Sequence, residues 1–251
     1  MTHSVLRRLR LEWTGVTLLV VGGLLAGWTV LAGSVSVETA DRWLLPAGSV
    51  LGYELVLLGV KLRANRTEDG AIRATLGIAN YITIVRGGLF ATVAGFLFVS
   101  PTTPVVAWAP GICYGIGVIL DYLDGTTARI VGRQTALGEQ LDLAFDTLGF
   151  LVAPLVGVVW GRLPIWYLSI SLARYLYRGG VAWRTRRGRP VGDLPDSRVR
   201  RPLAAVQMVF ITVALLPVIS TRIIYPLAAV VATPSIVVFI RDYLAVTGRH
   251  K

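Results

Sequence analysis

Four aspartates lie within 26 residues of one another: Asp121, Asp124, Asp142 and Asp146. The chain there reads Asp121-Tyr-Leu-Asp124-Gly125-Thr-Thr-Ala128-Arg129, then eight residues, then Gly138-Glu-Gln-Leu-Asp142-Leu-Ala-Phe-Asp146. Helical spacing gathers these residues. Asp121, Asp124, Gly125 and Ala128 fall at i, i+3, i+4 and i+7, which is one helix face. Gly138, Asp142 and Asp146 fall at i, i+4 and i+8, again one face. A short polar turn between the two segments makes them antiparallel neighbours, so their carboxylates can converge.

Gathered carboxylates need countercharge. With Glu139 there are five acids here, and only Arg129 and Arg133 nearby to balance them. An ion-paired hairpin built from those arginines is one reading, but two cations do not balance five acids. Oxygen donors in excess suit a hard divalent cation, with magnesium the usual choice and manganese the alternative. Four carboxylates exceed what one ion needs, so two ions are expected. Gly125 and Gly138 carry no side chain and would let a ligand or a facing helix come close. Arg129 is placed to hold a phosphate oxygen.

The surrounding elements are apolar. Of 251 residues, 54% are hydrophobic and 16% are charged, against about 25% charged in a soluble domain. The charges bunch between long uncharged runs, the pattern of a polytopic helical membrane protein. Eight spans are expected, near 13–34, 43–61, 77–99, 104–123, 139–160, 162–182, 202–220 and 223–246. The first follows Arg7, Arg8 and Arg10 but is too long for a signal-peptide core, so it reads as a retained helix. Segment 61–76 is polar and is expected to hold a short interfacial helix. Cys113, the single cysteine, lies in an apolar run and reads as a packing residue.

Charge also orients the chain. Of 25 lysines and arginines, all but Arg42, Arg162 and Arg222 fall on one side of the expected spans. By the positive-inside tendency that side is cytoplasmic, which puts both termini and the aspartates there. The formal net charge of +11 follows from the same asymmetry. A nucleic-acid partner is not expected, because the arginines sit between spans.

The aspartate stretch matches D-x2-D-G-x2-A-R-x8-G-x3-D-x3-D at all eight fixed positions. It resembles the signature of the CDP-alcohol phosphatidyltransferase family, over roughly residues 75–246. The resemblance implies an all-α fold: a six-helix membrane core, here preceded by two extra helices, divided as 1–62 and 63–251. It implies transfer of a phosphatidyl-type group from CDP-diacylglycerol or CDP-archaeol to an alcohol, with release of CMP, in phospholipid biosynthesis. Asp121, Asp124 and Asp142 would be metal ligands, and Asp146 a ligand and the general base. Gly125 and Ala128 would admit the cytidine, Arg129 would bind the diphosphate, and Gly138 would support the nucleotide pocket. Asn80, Thr83 and Arg86 resemble the family's entry into its first core helix and would help seat the nucleotide. Arg201, with Arg198 nearby, is similar to a basic position used for phosphorylated acceptors such as glycerol phosphate or inositol phosphate. Partners would be CDP-lipid, a small alcohol, membrane lipids and a second copy in a homodimer.

Two other readings are kept. A membrane prenyltransferase also holds a metal-bound diphosphate on aspartates, but it has no need of the D-G-x2-A-R element. A transporter with a carboxylate site would place its acids near mid-membrane. Glu54, inside the second expected span, suits that picture, and it suits a hydrogen-bonding role between helices equally.

Overall fold

The computed structural model describes residues 2–66, 70–131, 135–189, 192 and 197–247. Eight α-helices run through them: α1 (Thr2–Ser34), α2 (Val37–Lys61), α3 (Ile78–Gly95), α4 (Pro104–Val131), α5 (Ala136–Val159), α6 (Leu168–Arg186), α7 (Arg200–Leu215) and α8 (Thr221–Val246). No strand forms among the described residues, only an isolated bridge between Arg66 and Ile72. In hydrocarbon every backbone polar group must be satisfied within its own segment, which is why apolar sequence of this length becomes helix. Hydroxyl caps set several starts. Ser36 accepts from the Thr39 N–H at 3.1 Å, and Thr135 accepts from the Gly138 N–H at 3.2 Å.

Among the described residues six helices, α1 to α5 and α8, are long and apolar enough to cross a membrane. The other two expected spans appear as helices that fall short of this. α6 carries Arg174, Arg178, Arg184 and Arg186, and α7 has only 16 residues against the roughly 20 that a crossing needs. The sixth helix also starts later than expected, at Leu168, after a 3-10 turn over Ile165–Tyr167. The interfacial helix expected in 61–76 is absent among the described residues. Instead a single 3-10 turn, Leu62–Ala64, leads to Asn65, whose fully buried amide donates to the carbonyls of Arg73 and Thr75. That side chain ties the segment into a closed loop, which competes with helix.

α3 is the central element, packing on α2, α4 and α5. Tryptophans lock it in place. Trp43 of α2 donates its indole N–H to the Thr92 carbonyl at 3.0 Å, and its ring lies against Gly95. Trp160, after α5, donates to the carbonyls of Phe96 and Val99 at 3.1 and 2.8 Å. Each indole, Trp43 buried and Trp160 partly so, thus finds an acceptor while its rings pack on the core. Leucines and valines such as Leu18, Leu19, Val60, Val230 and Val237 point outward, an apolar exterior suited to lipid.

At the end of α5 opposite Asp142, Arg162 donates from Nε to the Ala214 carbonyl at 2.9 Å. Its Nη2 donates to the carbonyls of Leu216 and Ile219 at 2.7 and 2.8 Å. Those carbonyls include ones that α7 leaves without helical partners, so Arg162 caps that helix from outside.

Candidate active site

Phe90 sets the spacing of the helices that carry the aspartates. Its ring is buried between Gly117 of α4 and Gly149 of α5. A β-carbon at Gly117 would lie 2.7 Å from the ring, and one at Gly149 would lie 2.6 Å from it. Only glycine fits on either side. The aspartates stand one helical turn away: Asp121 is four residues after Gly117, and Asp146 three before Gly149. On α3, Arg86 is four residues before Phe90. One phenylalanine in two glycine notches therefore fixes where three acidic or basic side chains from three helices meet.

They meet at Arg86. Its side chain is fully buried and its guanidinium is bonded to Asp121 through Nη1 and to Asp142 through Nη2. Asp146 lies 3.1 Å from the same Nη2. Oxygen atoms of Asp121, Asp142 and Asp146 all fall within 4.8 Å of one another. The convergence expected from helical spacing is present for these three. Asp146 is the least exposed, at 20% of its side chain against 33% for Asp121 and 45% for Asp142, which agrees with its place deeper along the helix.

The described basic partner is Arg86, one of the residues expected to seat the nucleotide, which lies 35 and 56 residues from its two hydrogen-bonded aspartates. A signal for it existed in the sequence. Arg86 is a lone charge in an apolar helix, and such a charge needs a partner inside the bundle.

Asn80 and Thr83 are buried on the same helix. Asn80 donates to the Leu76 carbonyl at 2.7 Å and presents its carbonyl oxygen to α5, where a β-carbon at Gly138 would lie 2.6 Å from it. Thr83 donates back to the Ala79 carbonyl at 3.1 Å. Gly138 is thus the notch that admits Asn80. The backbone of 124–131 continues α4, but the side chains of Asp124, Gly125, Ala128 and Arg129 lie outside the described residues, as do all of Arg133 and the side chains of Arg174 and Arg178. Arg198 and Arg201 are exposed around the start of α7. Their neighbour Arg200 is held by the buried Asp242 of α8 at 2.7 Å.

The donor set fits divalent metal. Three carboxylates face one guanidinium, so the cluster keeps an excess of negative hard oxygen atoms, partly open to solvent, at a spacing one or two ions can bridge.

Known proteins resemble this chain in sequence. The family model described as CDP-alcohol phosphatidyltransferase matches residues 76–238, a stretch that holds α3 to α7 and most of α8. A Mycobacterium tuberculosis (strain ATCC 25618 / H37Rv) protein with the provisional name cardiolipin synthase is 29% identical over 99 residues, covering 39% of this chain and 46% of that protein. The CDP-diacylglycerol–serine O-phosphatidyltransferase of Saccharomyces cerevisiae is 32% identical over 81 residues, covering 32% and 29%. A cardiolipin synthase (CMP-forming) of Streptomyces coelicolor is 42% identical over 57 residues, covering 22% and 26%. The chain spans less than half the length of these curated relatives. With three of the motif's aspartates gathered at one point and the family match covering well over half of the sequence, this chain belongs to the CDP-alcohol phosphatidyltransferase family.

Proposed function

We propose that this protein transfers a phosphatidyl-type group from a CDP-linked lipid to an alcohol and releases CMP. The observation that carries the reading is the convergence of Asp121, Asp142 and Asp146 from two helices, inside the stretch that the family model matches. Those three, with Asp124, would hold one or two divalent ions, magnesium or manganese. Bound ions of this kind polarise phosphate oxygens and offset charge that develops during phosphoryl transfer.

The chain's own residues divide the remaining work. Asp146, the most sheltered carboxylate, would take the proton from the acceptor hydroxyl. The freed oxygen attacks the lipid-side phosphorus, the bond from that phosphorus to the bridging oxygen breaks, and CMP leaves. Gly125 and Ala128 would let the cytidine lie against the backbone of α4, and Arg129 would hold a diphosphate oxygen. Asn80, seated in the Gly138 notch, would fix the α3–α5 wall of that pocket.

The cluster would face the cytoplasm, as would both termini. The support is the charge asymmetry of the sequence and the position of Arg162 at the opposite end of α5. For the acceptor, the basic stretch 184–201 with exposed Arg198 and Arg201 favours a phosphorylated polyol such as glycerol phosphate or inositol phosphate. The test is release of CMP by purified protein in liposomes, run with CDP-diacylglycerol and CDP-archaeol against a panel of glycerol phosphate, inositol phosphate, serine and phosphatidylglycerol. Alcohol-dependent CMP release with one acceptor supports the reading. No release with any member, or turnover of prenyl diphosphate instead, overturns it.

A further inference from the structure

Arg86 poses a problem for the proposed metal chemistry. Its guanidinium is bonded to the same carboxylates that the ions would use, and its side chain has no route to water, being fully buried. When ions take those oxygens, Arg86 must keep a negative partner inside the bundle or stand uncompensated in a low-dielectric interior.

α2 supplies a candidate. Glu54 is buried at 3% exposure and points into the α2–α3–α5 junction. A β-carbon at Gly87, the residue after Arg86, would lie 2.8 Å from Glu54 Oε2 and 2.8 Å from the Phe145 ring, so the carboxylate reaches α3 directly through a glycine notch. Both side chains keep a spare group: Glu54 Oε1 and Arg86 Nε are buried with no hydrogen-bond partner among the described residues. Buried polar groups are seldom left so, and here a lone donor and a lone acceptor sit on neighbouring helices.

We infer that Glu54 is the standing counter-charge of Arg86, drawing its guanidinium toward α2 and leaving the oxygens of Asp121, Asp142 and Asp146 to divalent cations. Glu54 is then a positioning residue, acting through Arg86. The helix that bears it lies outside residues 76–238, so the N-terminal pair of helices contributes to the site as well as to its anchoring. The inference rests on the metal reading proposed above.

The test is manganese binding, followed by electron paramagnetic resonance of free Mn2+ on purified full-length protein without substrate. Wild type should bind, and Asp142→Asn should lose most of that binding. Glu54→Gln keeps shape and removes charge, and should raise the half-saturating Mn2+ concentration on the order of tenfold. Glu54→Asp keeps charge and should stay nearer wild type. Gly87→Ala crowds the same carboxylate and should weaken binding in the same direction. In an Arg86→Met background, Glu54→Gln should have no further effect. If Glu54 only fills space, the order reverses, with Gln like wild type and Asp weaker. That order, or an undiminished effect of Glu54→Gln in the Arg86→Met background, overturns the inference while leaving the metal site standing. Failure of wild type to bind Mn2+ removes the metal reading and the inference with it.

Discussion

Replacing Gly149 with alanine probes how the aspartates are positioned, at a place where no side chain touches them. The new methyl would stand 2.6, 2.7 and 3.0 Å from three atoms of the Phe90 ring. Carbon atoms pack comfortably at about 3.5–4.0 Å, so something must yield by about 1 Å. The ring cannot retreat toward α4, because its other edge already fills the Gly117 notch. α5 must therefore shift on α3 and carry Asp146, three residues away, with it. Overpacking of this kind costs about 1–3 kcal/mol, partly offset by the ~0.5–1 kcal/mol that alanine gains over glycine within a helix. The larger effect falls on rate, since about 1 Å of misplacement at a reacting group can cost on the order of 100-fold. CMP release and thermal unfolding in the same detergent give both quantities. Phe90→Leu in the same chain removes the ring and should restore much of the lost rate. Wild-type rate and unfolding temperature for Gly149→Ala would refute the spacing argument, as would a double variant no faster than the single one.

Other expectations follow from contacts elsewhere. Gly138→Val should displace the Asn80 amide that sits 2.6 Å from the position of the new β-carbon, weakening CDP-lipid binding in an equilibrium binding assay more than it lowers the unfolding temperature. Arg162→Met strips three hydrogen bonds from the end of α7 and should cost about 2–4 kcal/mol, read by chemical denaturation in detergent. Gln207→Leu leaves the Tyr167 hydroxyl and Ser235 without their shared partner and should cost about 1–3 kcal/mol by the same measurement, with the aspartate cluster intact by Mn2+ binding.

The sequence made some of this readable and hid the rest for identifiable reasons. The aspartates were legible because helical spacing alone puts Asp142 and Asp146 on one face; Asp121 joins them because α4 and α5 both pack on α3. Arg86 was legible as a residue that resembles the family's nucleotide seat, but its partners lay on helices distant in sequence, so its bonds to the aspartates emerged only from packing. Gly138 read as room for a ligand or a facing helix, and it is Asn80 of the facing α3 that lies against it. Gly117 and Gly149 drew no notice at all, because a notch is defined by the ring that fills it. Hydropathy located all eight helices, yet α6 and α7 fall short of a crossing for want of apolar content and of length. The described residues on either side of 67–69 are held out of a helix by one buried asparagine, Asn65, whose partners are backbone carbonyls, which no residue pattern encodes.

In the proposed reaction the aspartate cluster carries out metal-assisted transfer with Asp146 as base. Purified wild type and Asp146→Asn, reconstituted in liposomes with CDP-diacylglycerol, magnesium and the acceptor found in the panel, should differ completely in CMP release, while both still bind the CDP-lipid. Wild-type release should also stop in excess chelator. Normal turnover by Asp146→Asn, or full wild-type activity in the chelator, would contradict the claim.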